Sequence, residues 1–179
     1  YIFDPLVPQR LAQVVPDARL LLLMRDPVKR AYSHYQMKRR RKGLEELSFF
    51  DALKAEPERL AGEREKVLAD PSYVSLPLRH WSYLARGRYL EQLQVWEQHF
   101  PREQLLVLRS EDLFSDGPRV LEQIGEFLGL DGLGELDLRR SNSGGGYTPM
   151  PDDARSFLEE YYVPHNEALY EHLGWRLWD

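Results

Sequence analysis

Arg25 and Ser33 are the first residues whose types and spacing suggest chemistry. Arg25 ends the apolar run Leu20-Leu21-Leu22-Leu23-Met24, and Asp26-Pro27 follows as a helix cap and first-turn proline. A guanidinium at the carboxyl end of a buried strand, beside a helix whose first amides lack partners, suits an anion. Ser33 lies seven residues past Asp26. That is nearly two turns, about 10 Å along the same helix face at 1.5 Å per residue. The pair could grip one phosphate group beside the helix. The competing reading pairs Arg25 with an acidic neighbour and leaves Ser33 as an ordinary helix-surface residue.

Other candidates carry both a functional and a bland reading. In Ser143-Gly144-Gly145-Gly146-Tyr147 the glycines allow positive φ and let bare backbone amides face an anion; the alternative is a surface loop without a ligand. Lys38-Arg39-Arg40-Arg41-Lys42 is read as the solvated, dipole-compensating end of a helix, with attraction of an anionic acceptor such as a glycan as the alternative. Tyr89 shares an apolar stripe with Leu93, Trp96 and Phe100, which favours core packing as readily as a ligand contact. His165 and His172 are seven apart rather than four, and the chain has no Cys, so no metal site is expected.

The elements that must position these residues are legible from periodicity and punctuation. A short helix is expected from Asp4-Pro5 to near Pro16. A central parallel strand over Ala18 to Met24, covered on both faces, comes next, and then a helix from Asp26-Pro27 to the basic run before Gly43. Ser48 opens a helix over Phe49 to about Ala61 that Pro57 is expected to interrupt. Glu63 to Leu78 reads as a long connection with some helical content. A helix through Tyr89 and Trp96 stops at Pro101, a second strand covers Gln104 to Leu108, and a helix runs from near Pro118 to Leu128-Gly129. A final amphipathic helix starts at Pro151 and continues past Pro164 to Leu173. Strand, helices, strand, helix implies an α/β fold with a parallel sheet. Two strands are fewer than such a sheet usually holds, and the others are expected upstream of Tyr1.

Composition bounds the function. The chain has 179 residues, a net charge of −5, 42% hydrophobic residues and no Cys. This fits one compact domain that needs no disulfides. It excludes a disulfide scaffold, a zinc ribbon and thiol catalysis, and argues against nucleic-acid binding and membrane spans. A cytoplasmic location is the simpler expectation. Residue 1 is Tyr, so the sequence is expected to begin within a longer chain: a single domain over 1–179, incomplete at its N-terminus.

Phe3-Asp4-Pro5, Pro16-Asp17-Ala18-Arg19 and Arg25-Asp26-Pro27-Val28-Lys29-Arg30-Ala31-Tyr32-Ser33-His34-Tyr35 together resemble sulfotransferases that use 3'-phosphoadenosine-5'-phosphosulfate (PAPS). The similarity is strongest to the heparan-sulfate N-sulfotransferase-like branch and its bacterial relatives. Further matches follow in family order, at Arg86-Gly87-Arg88-Tyr89, Trp96, Phe100-Pro101, Glu111-Asp112-Leu113, Phe127-Leu128-Gly129, Tyr147-Thr148-Pro149-Met150 and His165-Asn166. The resemblance implies a P-loop-like three-layer fold and sulfuryl transfer from PAPS to a hydroxyl or amine, with release of adenosine 3',5'-bisphosphate (PAP). It assigns the cofactor's 3'-phosphate to Arg25 and Ser33, the adenine pocket to Tyr89, and closure over the phosphates to Ser143, Gly144, Gly145, Gly146 and Tyr147. The implied partners are the nucleotide co-substrate, a sulfate acceptor and an upstream segment carrying the phosphosulfate loop and general base. Neither that loop nor the base occurs in residues 1–179, so this chain alone is expected to bind without turnover. The rival readings are a P-loop kinase-like nucleotide enzyme, which an upstream Walker lysine motif would mark, and a non-catalytic interaction module.

Overall fold

The computed structural model describes residues 1–41, 44–136 and 148–178. Helix α1 (Val7–Val14) leads into strand β1 (Leu20–Met24) and helix α2 (Pro27–Arg39). Helices α3 (Phe49–Leu60), α4 (Glu63–Ala69) and α5 (Leu76–His80) follow, then a 3₁₀ turn at Ala85–Gly87 and helix α6 (Tyr89–Glu97). Strand β2 (Leu105–Arg109), helices α7 (Ser110–Ser115) and α8 (Gly117–Leu128) and the long α9 (Asp152–Leu173) complete the order. The strands pair in parallel, Leu20 opposite Leu105 and Met24 opposite Arg109, so both end at the same level. This is the expected α/β arrangement. Among the described residues no helix is long and apolar enough to cross a membrane.

Local chemistry accounts for the element boundaries. Asp26 caps α2 through its own side chain, which accepts from the Lys29 amide at 3.0 Å, and Pro27 fills the first turn. Ser48 does the same for α3 through the Asp51 amide. The first helix starts later than the sequence suggests: Asp4 instead closes a turn by accepting from the Leu6 amide, and Pro8 occupies the first helical turn. Pro57 and Pro164 both sit inside continuous helices. Both proline rings are exposed and both helices run on through them, so the expected break at Pro57 does not occur.

Three apolar clusters hold the layers together. One face of β1, with Leu22 and Met24, packs with Tyr89, Leu93, Trp96 and Phe100 of the α6 region and with Leu169, Tyr170 and Trp178 near the C-terminus. A second cluster joins α2, α3 and α9 through Tyr35, Phe49, Leu53, Leu158 and Tyr162. The third seats α8 on the other face of β2 through Leu108, Val120 and Ile124. Leu21 and Leu23 on the corresponding face of β1 remain 39% and 49% exposed. Thus β1 alternates rather than being covered on both faces, because α8 lies over β2 alone.

Gly87 marks the closest approach between α9 and the turn before α6. The Tyr162 hydroxyl donates to the Leu84 carbonyl at 2.9 Å, and a Cβ on Gly87 would lie 2.3 Å from that hydroxyl oxygen. Both partners are buried, so neither can move aside freely. Gly87→Ala should therefore destabilise the fold by about 1–3 kcal/mol, the usual cost of overpacking. Chemical denaturation with an unchanged m-value would measure it; an unaltered midpoint would contradict the packing constraint.

Candidate functional site

The corner between β1 and α2 is built around a single peptide unit. The Arg25 carbonyl accepts from the Tyr89 hydroxyl at 2.8 Å, and the Asp26 amide donates to Glu111 Oε1 at 3.0 Å. Trp178 supports both partners: its ring is tilted against Tyr89 with centroids 5.8 Å apart, and its indole N–H donates to Glu111 at 3.4 Å. Burial opposes ionisation of Glu111, but hydrogen bonds from Asp26, Trp178 and Ser110 outweigh it and hold the carboxyl below its ordinary range. Burial pushes the Tyr89 phenol up to about 12, so it stays a donor.

From this corner Arg25 projects at the mouth of an open cleft of roughly 500 Å³ that also contains Ser33. The structure thus brings Arg25 and Ser33 together, and no carboxylate pairs with Arg25 among the described residues, so the alternative of a structural ion pair is not realised. Tyr89 lies behind the corner, 6% exposed and inside the core, and is absent from the cleft wall. Its observed contact positions Arg25, since the hydroxyl reaches the Arg25 carbonyl while the ring packs on Trp178. Ser143, Gly144, Gly145, Gly146 and Tyr147 fall outside the described residues.

The cleft contains cations that sequence spacing alone does not single out. Arg30, Met37 and Lys38 line it with Ser33 and His34 as one face of α2, opposed by Arg79 and Arg86. Arg30 donates to the Tyr83 carbonyl. Arg86 donates to Ser82 Oγ at 2.7 Å and the Leu78 carbonyl at 3.1 Å, and its guanidinium stacks 4.6 Å from the Phe3 ring centre. Asp4 and buried Glu56 lie close enough to favour the charge of Arg86, and Glu56 accepts from the Leu84 and Ala85 amides and fixes the turn bearing Arg86. The R-x-x-x-x-R spacing of Arg25 and Arg30 and the i, i+4 relation of Arg30 and His34 were the available signals; Arg79 and Arg86 arrive from distant segments.

Like charges crowded this way shift one another. Burial, then Arg30, Arg86 and Lys38, bring His34 down to about 3, so it is neutral at physiological pH. Burial and Arg30 lower Arg86 to about 10. Lys38 departs from the solvated helix end expected for the basic run: it is 5% exposed, and its ammonium lies 2.9 Å from His80 Nδ1. Arg39 to Arg41 are exposed as expected. A cleft lined by Arg25, Arg30, Lys38, Arg79 and Arg86, with no carboxylate in its wall, is organised for an anion.

The sulfotransferase domain family matches residues 4–141, and the chain belongs to that family. It is 28% identical to human bifunctional heparan sulfate N-deacetylase/N-sulfotransferase 3, over 94% of this chain and 21% of that protein. It is 25% identical to the membrane-associated sulfotransferase kil1 of Dictyostelium discoideum, over 97% of this chain and 50% of that protein. Among solved structures, a sulfotransferase from Alicyclobacillus acidocaldarius superposes with a TM-score of 0.72 and 30% identity, covering 98% of this chain and 62% of that one. The chain therefore spans between about a fifth and two thirds of the length of these relatives. Its α/β architecture is that of the sulfotransferase fold.

His34 makes the charge crowding measurable. Its folded pKa near 3 lies below the unfolded value of 6.5, so the unfolded chain binds the extra proton as pH falls. Its contribution is full above pH 6.5 and declines as pH drops from there toward 3. Between pH 6.5 and 5 the loss should reach about 2 kcal/mol, at about 1.4 kcal/mol per unit. Denaturant melts of wild type and His34→Phe across that range should diverge by this amount, with the variant less pH-dependent. Parallel curves would show that His34 titrates normally.

Proposed function

We propose that this chain is the nucleotide-gripping part of a sulfotransferase that moves a sulfuryl group from PAPS to a hydroxyl or amine acceptor and releases PAP. The observation that carries this reading is Arg25: a strand-end guanidinium without a carboxylate partner among the described residues, sharing a carboxylate-free cationic cleft with Ser33 beside the start of α2. Arg25 would hold the 3'-phosphate by charge-assisted hydrogen bonds, with Ser33 donating its hydroxyl to the same group. Tyr89 acts through the corner by keeping the Arg25 backbone in place. Family membership and the bacterial sulfotransferase neighbour support the reaction class.

In the transfer itself, the acceptor's oxygen or nitrogen forms a bond to sulfur as the bond from sulfur to the 5'-phosphate oxygen breaks. The acceptor's proton passes to a base, and the electron pair leaves with PAP. Little covalent work falls to the residues described here. Their part is to bind and orient the nucleotide so that the phosphosulfate meets its acceptor in line.

Arg25→Ala should weaken PAP binding by about 1.5–3 kcal/mol, the scale of a hydrogen bond to a charged group, and Ser33→Ala by less. Calorimetric titration of PAP decides the matter. Unchanged affinity in both folded variants would exclude Arg25 and Ser33 as the 3'-phosphate site.

A further inference from the structure

Two side chains in the cleft wall carry a buried polar atom that has no hydrogen-bond partner among the described residues: Arg30 at Nε and His34 at Nδ1. Buried polar atoms are nearly always paired, since a lone one gives up its bonds to water without replacement. Arg30 and His34 stand one helical turn apart, about 6 Å along α2, and Ser33 lines the cleft with them. Both are held by the turn opposite. Arg30 donates through a terminal nitrogen to the Tyr83 carbonyl, and the His34 ring meets the Tyr83 ring edge-on with centroids 5.0 Å apart.

The two unpaired atoms have opposite character. Arg30 Nε carries a hydrogen and can only donate. The His34 ring also hydrogen-bonds the Ser82 backbone in a way that favours its charged form, so a ring N–H donates to the Ser82 carbonyl. Because Nδ1 is the unpaired nitrogen, that N–H is at Nε2, and Nδ1 is left as a bare lone pair. Burial and the neighbouring Arg30, Arg86 and Lys38 keep the imidazole neutral, so the lone pair persists at physiological pH. The charged side chains of the cleft offer donors only, and His34 adds an acceptor among them.

A group that satisfies both atoms must accept one hydrogen bond and give another. A phosphate dianion accepts and cannot give; an adenine amine gives and does not accept. A hydroxyl does both. On a nucleotide whose 3'-phosphate lies at Arg25 and Ser33, the neighbouring hydroxyl is the ribose 2'-OH, on the adjacent ring carbon. We propose that Arg30 Nε and His34 Nδ1 form a hydroxyl subsite that reads this 2'-OH: its oxygen accepts from Arg30, and its hydrogen goes to His34. The subsite rests on the reading that Arg25 and Ser33 hold the 3'-phosphate. It makes His34 a specificity-determining residue that selects a ribonucleotide over its 2'-deoxy counterpart, because the deoxy sugar leaves both atoms unpaired.

The test is calorimetry on the full chain at pH 7, with PAP and 2'-deoxyadenosine 3',5'-bisphosphate as probes. Wild type should bind PAP about tenfold more tightly than the deoxy nucleotide. His34→Phe should lower PAP affinity to the deoxy level and leave the deoxy affinity where it was, so that the ratio falls to about one. His34→Asn, whose amide oxygen can accept in place of Nδ1, should keep most of the preference. A role in packing alone would weaken both nucleotides together and leave their ratio unchanged. Arg25→Ala should do the same, since the two probes share the 3'-phosphate. Equal affinity of wild type for the two probes would overturn the subsite without calling on any variant, and so would a full preference retained by His34→Phe. If Arg25→Ala alters neither affinity while the preference persists, the placement of the 3'-phosphate fails instead. Absence of PAP binding by wild type would overturn both.

Discussion

The peptide unit joining Arg25 to Asp26 is the constraint on which the site depends. Its carbonyl is held by Tyr89 from α6 and its amide by Glu111 from the start of α7, while the Asp26 side chain caps the helix that follows. Three segments far apart in sequence thus converge on one plane. The parallel register makes this possible: Met24 lies opposite Arg109, so both strands end together and Glu111 comes within reach of the β1–α2 corner. Trp178 closes the arrangement by bearing on both Tyr89 and Glu111. Each such bond contributes only about 1 kcal/mol, yet the conformation of the strand–helix corner depends on their sum. An Arg25 swung out of line would lose the placement that puts it in one cleft with Ser33.

The same fold tolerates an electrostatic cost on the cleft side and offsets it behind. Arg30 lies close enough to Arg86 to disfavour its charge, and the two together help keep His34 neutral. Asp4 and Glu56, neither of them in the cleft wall, favour the charge of Arg86. Burial holds the Glu56 pKa above its ordinary value against the opposing pull of the Ala85 and Leu84 amides and Arg30, and the carboxyl group remains tied to the backbone rather than entering the cleft. Counter-charge placed behind the wall lets the front stay cationic. A carboxylate in the cleft itself would neutralise the site and compete with an incoming anion.

Much of this was legible in the sequence wherever the cause is local. The Leu20 to Met24 run, the Asp26-Pro27 cap, the Ser48 cap and the stripe of Tyr89, Leu93 and Trp96 announce their elements because periodicity and capping act over a few residues. Arg25 and Ser33 were recognisable for the same reason, being one strand end and one helix face. What could not be read depends on partners remote in sequence. Pro57 and Pro164 lie inside helices that tertiary packing carries past them, and Lys38 is buried where His80 of α5 meets it. The exposed alternation of Leu21 and Leu23 follows from where α8 lies, which no pattern within β1 specifies. Tyr89 combines both cases: its stripe predicted burial, while its hydroxyl found a partner 64 residues earlier.

A grip on the 3'-phosphate is remote from the bond that would be made, and that separation has a physical rationale. Binding energy gained at a part of the substrate that does not react can be used to fix the part that does. In sulfuryl transfer the reacting centre offers little for a protein to hold without also stabilising the ground state, whereas the 3'-phosphate is a compact dianion suited to a guanidinium and a hydroxyl. Rigid placement then matters more than strength: an anchor on a mobile loop would hold the nucleotide but not its orientation. Here Arg25 leaves a strand end clamped at both poles of its peptide, and Ser33 rides on a capped helix of 13 residues. If Arg25 and Ser33 hold that phosphate as proposed, this clamped backbone sets the direction of the reaction from a distance.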